Sequence, residues 1–420
     1  MRVLLAASLY VLAIAGEGWA HGPAPAPLEM LPASASEGTF TPSLIRLNIG
    51  LARLVEGAWV YGCPSQYGDA ETARMAATDD SELVVAVGGG EAYASDDQGC
   101  SFELLGRDEA SDFYALRASG DGDGVWVLAG NAADGEGALT RLDSAGAVET
   151  TRLFVGSEGL IPDSLIPWSA GDRSGVLVAG AAPSPRLWRG ERHVHDGGVQ
   201  WTWTSWPLQG LDASTAFLRL AGLEPSGGLW LVVTDQAGRN LWRGSFAPDA
   251  APSLTSVHSP VSVLRGPVRL GERYLAVFDG QLKAGPISDD GAIWAPLGET
   301  NWTCLDEVRG DVLACSLTRL ERLLDDGEEG APPTETVFML AELQGPRTEC
   351  MTEEAQTGCF SDWVHFGVEA GLYTPGDPLL PPSVETATEG GCVNGSSLPA
   401  DWMMVLALTA LAWSRRRRAC

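Results

Sequence analysis

The sequence predicts an all-β chain made of repeated units, and three features carry that expectation. Short apolar runs recur along the 420 residues, at 83–87, 125–130, 176–180, 229–233, 274–278 and 312–315. Their starts lie 42, 51, 53, 45 and 38 residues apart, the length of a four-stranded propeller blade. Turns rich in Gly, Asp and Ser separate them, as at 119–124 and 225–228, and no long segment with a 3.6-residue apolar period intervenes, which argues against βαβ units. The predicted fold class is therefore an all-β, six- or seven-bladed β-propeller.

Runs that are continuously apolar, β-branched and bounded by Gly read as strands buried on both faces. The segment before each run also recurs. Residues 73–76, 115–118, 218–221, 268–270 and 307–309 each precede a turn, and they carry Arg74, Arg117, Arg219, Arg269 and Arg309. The third unit departs from this pattern, with Trp168-Ser169-Ala170-Gly171 and no matching arginine.

From the N-terminus, residues 1–20 read as a signal helix. Arg2 precedes an apolar stretch of secretory length, and Gly18 and Ala20 supply the small residues of a signal-peptidase site. Residues 21–42 are rich in Pro, Ala, Ser and Thr and read as a flexible linker. The propeller is expected over 43–373, with the first blade from Ala58 to about Leu105 and the last from about Asn301 to Leu343. Residues 46–54 are expected to supply an outer or closing strand. Residues 350–373 read as a disulfide-pinned final piece with Trp363, Phe366 and Tyr373 to bury. A second Pro-rich linker, 374–391, would act as a stalk.

At the C-terminus, Gly391-Cys392 precedes a polar stretch, an apolar run at 402–413 and the cluster Arg415-Arg416-Arg417-Arg418. The run falls short of the roughly 20 residues that span a bilayer comfortably, and the arginines would stay cytoplasmic. This tail resembles the MYXO-CTERM sorting signal of myxobacterial surface proteins, which has a Gly-Cys pair, a short hydrophobic helix and a terminal Arg cluster in that order. The resemblance covers the last 30 residues or so. It implies cleavage near Cys392 by a myxosortase-type protease, lipid modification of Cys392 and display at the cell surface or outer membrane. Membrane contact would then be made only through the 392–420 tail. The alternative is a plain single-span anchor, and both place the body outside the cytoplasm.

The formal charge is −28, from 27 basic and 55 acidic residues, which excludes a polyanion such as nucleic acid as a natural partner. Between 21 and 391 there remain 22 basic and 53 acidic residues. Six cysteines fall in that body: Cys63, Cys100, Cys304, Cys315, Cys350 and Cys359. An even number in an exported chain points to disulfides. Pairing between sequence neighbours, each closing a small loop, gives Cys63–Cys100, Cys304–Cys315 and Cys350–Cys359 as the preferred set. No CxxC and no His at zinc-type spacing accompanies them, so neither metal nor cofactor is assigned.

One local motif bears on architecture. Ser95-Asp96-Asp97-Gln98-Gly99-Cys100-Ser101-Phe102 fits the Asp-box pattern S-x-D-x-G-x-[ST]-[WF]. Ser95 and Asp97 are placed to tie the turn backbone, Gly99 to permit positive φ and Phe102 to pack beneath. Ser288-Asp289-Asp290-Gly291-Ala292-Ile293-Trp294 is a shortened copy, with Ser288, Asp290 and Trp294 in the matching roles. The body thus resembles the bacterial-neuraminidase-repeat and sortilin-like propellers, in which Asp boxes are structural hairpins.

The repeated arginines are the leading candidate site, because guanidinium forks converging near an axis hold carboxylates. They would serve a binding or structural module with an extracellular glycan or protein ligand. The reading from another class is a sialidase-type glycoside hydrolase, which needs an Arg triad, a Tyr–Glu pair and an Asp; the Arg-Ile-Pro sequence usual near its first Arg is absent. His193 and His195 share a face if strand-borne but are too few for a metal site, and 120–124 lacks the acids of a calcium loop. Trp201, Trp203 and Trp206 read as blade packing rather than a carbohydrate platform. No catalytic residue is assigned.

Overall fold

The computed structural model describes residues 27–372 apart from 32–42, 49, 68–73, 79–81, 89–90, 108–111, 119–123, 132–135, 144–147, 153–162, 182–183, 197, 212–214, 225, 259, 287–293, 299–300, 309, 329, 352 and 371. Within them, seven four-stranded antiparallel sheets follow one another at 27–62, 74–107, 112–152, 164–207, 217–256, 264–296 and 304–339. In each, the strands are hydrogen-bonded in sequence order. We number these sheets as blades 1 to 7. Their first strands are Pro27–Leu31, Arg74–Ala77, Asp112–Ala118, Ser164–Ala170, Phe217–Leu223, Leu264–Leu270 and Cys304–Val308. Each first strand touches the first strand of the blades on either side, and that of blade 7 touches that of blade 1. The chain is a seven-bladed β-propeller with these strands innermost.

The apolar runs are the second strands: Val84–Gly88, Gly124–Asn131, Arg173–Gly180, Gly228–Asp235, Arg273–Phe278 and Asp311–Cys315. Blade 5 shows why they are apolar at every position. Leu229, Leu231 and Val233 pack against Leu177 and Ala179 of blade 4, whereas Trp230 and Val232 pack against Tyr274, Ala276 and Phe278 of blade 6. Neither face meets water, so the two-residue alternation of a half-exposed strand vanishes. Each fully buried Leu or Val contributes about 1.5–3 kcal/mol relative to exposure. The outermost strand of blade 4 differs: Gly198–Pro207 is exposed or half-buried throughout.

The first blade begins earlier than the sequence suggested. Pro27–Leu31, inside the segment read as a linker, pairs with Leu44–Leu47 as an innermost strand. Residues 46–54 lie in the second and third strands of this blade rather than at its outer edge, and Ala58–Gly62 is its outer strand, not the start of the ring. The last piece is helical, Glu353–Glu369, and Trp363 and Phe366 are buried on it. Both stack against Tyr61, at 5.3 and 5.1 Å between ring centroids. Residues 1–26 and 373–420, with the signal, stalk and sorting assignments for Ala20, Gly391, Cys392 and Arg415 to Arg418, lie outside the described residues.

Among the described residues each blade is built from four consecutive strands, and none combines strands from the beginning and the end of that stretch. After blade 7 the chain crosses to blade 1. Gln344 pairs in parallel with Val60, through Tyr61 N–H to Gln344 O (3.0 Å) and Gln344 N–H to Trp59 O (2.8 Å). Trp59 meets Phe338 of blade 7 edge-on at 5.1 Å. Two disulfides complete the strap: Cys63–Cys359 fastens the helix to blade 1 and Cys100–Cys350 fastens the preceding turn to blade 2. This corrects the expected Cys63–Cys100 and Cys350–Cys359 pairs. Sequence neighbours do not pair here because the returning strap brings chain positions 296 and 250 residues apart into contact. Cys304–Cys315 is as expected, a directly opposed pair on the first two strands of blade 7.

Either strap disulfide alone keeps the long loop closed, so removing one should understate its value. In urea unfolding, the Cys63→Ala/Cys359→Ala and Cys100→Ala/Cys350→Ala pairs combined are expected to cost more than their separate sum, by on the order of 1–2 kcal/mol of loop-closure entropy. Strict additivity would mean that strand contacts alone close the ring.

Candidate functional site

Register places the arginines on rungs. Arg74 opposes Val87, and Arg219 opposes Val232. Val87 packs against Val125 and Val127 of blade 3, and Val232 against Tyr274 and Ala276 of blade 6. Opposed residues on an antiparallel pair share a face, so each of these arginines leans toward the following blade at one level. A third, which the sequence reading passed over, takes the same rung of blade 6: Arg265 opposes Val277, whose side chain packs with Leu305 and Val312 of blade 7.

The contacts fit that geometry. Arg219 Nη2 lies 3.5 Å from the carbonyl oxygens of both Leu264 and Gly266 on the next inner strand. Arg265 Nε donates to Thr303 O of the next blade at 3.1 Å and Nη1 to Leu264 O at 3.2 Å. Arg74 is exposed. Burial, and after it the positive charges of Arg239, Arg74 and Arg46, push the Arg265 guanidinium below its ordinary pKa. Arg74 and Arg46 belong to blades 2 and 1, so their fields reach Arg265 from three and two blades round the ring. Arg239, Arg74 and Arg46 are thus close enough to act on Arg265, in a protein whose net charge is −28.

Two of the other nominated arginines sit at different register positions. Arg117 opposes Trp126 and Arg269 opposes Tyr274, both near the hairpin turns at the far end of their strands. Arg269 Nε donates to Gly271 O of its own turn at 3.0 Å. Arg309 lies outside the described residues. Arg269 follows the β-bulge and lies next to the short turn 271–272, whereas Arg265, before the bulge, is the residue that comes to stand opposite Val277.

In blade 4 the same rung carries Ser164, opposite Ala179. Its hydroxyl donates to Leu218 O (3.0 Å) and accepts from Leu220 N–H (2.7 Å) on the next inner strand. Beside it, Asp163 Oδ2 accepts from Leu218 N–H (2.7 Å) and Ala181 N–H (2.9 Å). Burial outweighs those bonds and the Asp163 carboxyl is pushed up to about 6. This level of the ring is where one inner strand is stitched to the next.

A Tyr–Glu pair also exists, but elsewhere. Glu224 accepts from Trp230 Nε1 at 2.6 Å and lies 3.6 Å from Arg243 Nη2, with the Tyr274 hydroxyl beside it. Burial, and then Glu224, push the Tyr274 hydroxyl up to about 12. Tyr274 stands three residues along its strand from Val277, about 10 Å from the arginine rung.

The turn at 95–102 is held by its own side chains. Ser95 Oγ accepts from Gly99 N–H at 2.8 Å, and Asp97 accepts from Cys100 N–H (2.9 Å), Ser101 N–H (2.8 Å) and Ser101 Oγ (2.7 Å). Burial opposes the Asp97 charge, but these bonds together outweigh it and hold the carboxyl below its usual range. Gln98 and Gly99 have φ of 61° and 75°, and Phe102 packs against Tyr67 with tilted rings, 5.1 Å between centroids. Trp294 is buried, while Ser288 and Asp290 fall outside the described residues. Trp201 and Trp203 stack on each other at 5.6 Å, and Trp201 meets Trp126 of blade 3 edge-on at 5.5 Å. They cover the blade 3–4 joint. His193 and His195 stack 6.4 Å apart on a hairpin tip.

No family model matches the sequence, and no curated protein matches it. Among solved structures, the chain is similar to the WD40 domain of SCAP from fission yeast, at 8% identity and TM-score 0.41, over 65% of this chain and 71% of that one. The β-propeller domain of the Trilobed protease from Pyrococcus furiosus is similar at 12% identity and TM-score 0.36, over 74% and 98%. A protein of unknown function from Bacteroides caccae is similar at 12% and 0.38, over 78% and 100%.

Asp163 gives a pH test. Its carboxyl is raised in the folded state, so the associated stability is full below its unfolded pKa near 4 and is lost as pH rises through about 6. Asp163→Asn keeps an oxygen for both N–H donors and carries no charge. The variant is expected to match the parent melting temperature near pH 4 and exceed it at pH 8, as read by thermal unfolding across that range.

Proposed function

We propose that the chain is an exported, cell-surface-anchored β-propeller that acts as a binding module, taking a carboxylate-bearing extracellular glycan or protein at its axis. The observation that carries this reading is the shared rung of Arg74, Arg219 and Arg265, with Arg46 near by. A guanidinium buried among like charges is relieved by an anion, and the fork geometry suits carboxylates. Arg219 and Arg265 are held by bonds from their own guanidinium groups to main-chain carbonyls of the next blade. Export and anchoring rest on the resemblance of the two termini to a signal peptide and a MYXO-CTERM tail, with Cys392 as the attachment point. The bond pattern of Ser95, Asp97 and Gly99 supports an Asp-box turn in a structural role.

The sialidase-type reading finds less support. Its tyrosine would have to sit at the arginines with a lowered pKa, whereas Tyr274 stands about 10 Å away with its hydroxyl raised to about 12.

Residues 21–391 probed against acidic and neutral glycans and peptides should bind acidic members, with affinity falling as salt rises. Arg74→Glu, at an exposed position, is expected to weaken that binding about tenfold or more without moving the melting temperature. Equal binding of neutral members, or unchanged binding by the Arg74→Glu chain, removes the axial site. Cys392→Ala should abolish surface display and leave the protein retained or released; unchanged display would refute the anchor.

A further inference from the structure

The two disulfides of the closing strap are chemically unequal. Cys63 and Cys359 are both 0% exposed. Cys100 is half-buried on the turn between the third and outer strands of blade 2, next to exposed Gln98 and Ser101, while its partner Cys350 is 8% exposed. A buried cation stands beside that bond. Arg53, on the third strand of blade 1, donates from Nη1 to Cys350 Sγ at 2.9 Å and from Nε to Gln98 O at 2.9 Å. Its other charged neighbours are Asp97, Arg347 and Glu349. The contact that a guanidinium makes with a sulfur strengthens greatly when the sulfur becomes a thiolate.

We infer that Cys100 is a thiol-exchange site, at which an external thiolate opens the strap with Cys350 as the leaving group. A low-molecular-weight thiol or a protein dithiol attacks Cys100 Sγ from the solvent side. A bond forms between the incoming sulfur and Cys100, the Cys100–Cys350 bond breaks, and its electron pair departs on Cys350 Sγ as a thiolate beside Arg53. A second thiolate then attacks the external sulfur of the mixed disulfide. The external pair leaves as a disulfide and Cys100 is released as a thiolate, each protein sulfur taking a proton from solvent according to its pKa. Two external thiols are oxidised and one protein disulfide is reduced. The buried Cys63–Cys359 bond stays, so the strap lets go of blade 2 and keeps hold of blade 1. The turn at 348–350, tied also by Gln66 Nε2 to Cys350 O at 2.8 Å, is the part set free.

The test uses the oxidised chain, folded, in graded glutathione or dithiothreitol, with rapid alkylation and peptide mass spectrometry. Cys100 and Cys350 should be labelled while Cys63, Cys359, Cys304 and Cys315 remain protected, and glutathione should be found on Cys100 rather than Cys350. Arg53→Met should slow the opening roughly three- to tenfold and Arg53→Lys less, with the melting temperature recording whether each variant is folded. The inference is overturned if the three disulfides open together, if glutathione lands on Cys350, or if a folded Arg53→Met chain opens as fast as the parent. Should Arg53→Met not fold, the order of opening and the glutathionylated residue in the parent chain decide alone.

Discussion

A four-stranded sheet with apolar residues on both faces has no stable existence by itself. Its second strand needs a cover on each side, and the cover is another sheet with the same requirement. The only arrangement that satisfies every member without a larger core is a closed ring. Everything else in this protein follows from that demand: the continuous apolar runs, the stitching of adjacent inner strands and the need to join the first blade to the last.

The stitching between inner strands lies at one level of the ring. Ser164 and Asp163 bind the backbone of the next inner strand in blade 4, and Arg219 and Arg265 do the equivalent in blades 5 and 6. A serine achieves this with no charge. An arginine does so with a cation to spare, and such cations accumulate where the inner strands converge. The axial charge is thus partly a by-product of how blades are fastened, and the same side chains that hold the ring also polarise its centre.

Parts of this were legible in the sequence because they reflect local burial. The second strands reveal themselves since two-sided packing erases alternation, and Cys304 and Cys315 are near neighbours on one hairpin. What depends on ring closure was not legible. Pro27–Leu31 sits in a Pro- and Ala-rich stretch, and only its pairing with Leu44–Leu47 and its contact with blade 7 make it a strand. The Cys63–Cys359 and Cys100–Cys350 pairs require knowing that residues 340–369 return to the beginning. The helix Glu353–Glu369 is likewise fixed by what it covers, Tyr61 above all. Arg265 escaped notice for a subtler reason: a bulge changes register without changing composition.

Because the strap lies after the seventh blade in the chain, it follows every blade of the ring as the chain emerges end first, whether from a ribosome or across a membrane. Until the final stretch of the propeller emerges, blades 1 and 7 are unfinished ends, each with one greasy side waiting for the other. The emerging chain would therefore pass through an open arc, and the moment of greatest hazard for clumping falls just before the strap arrives.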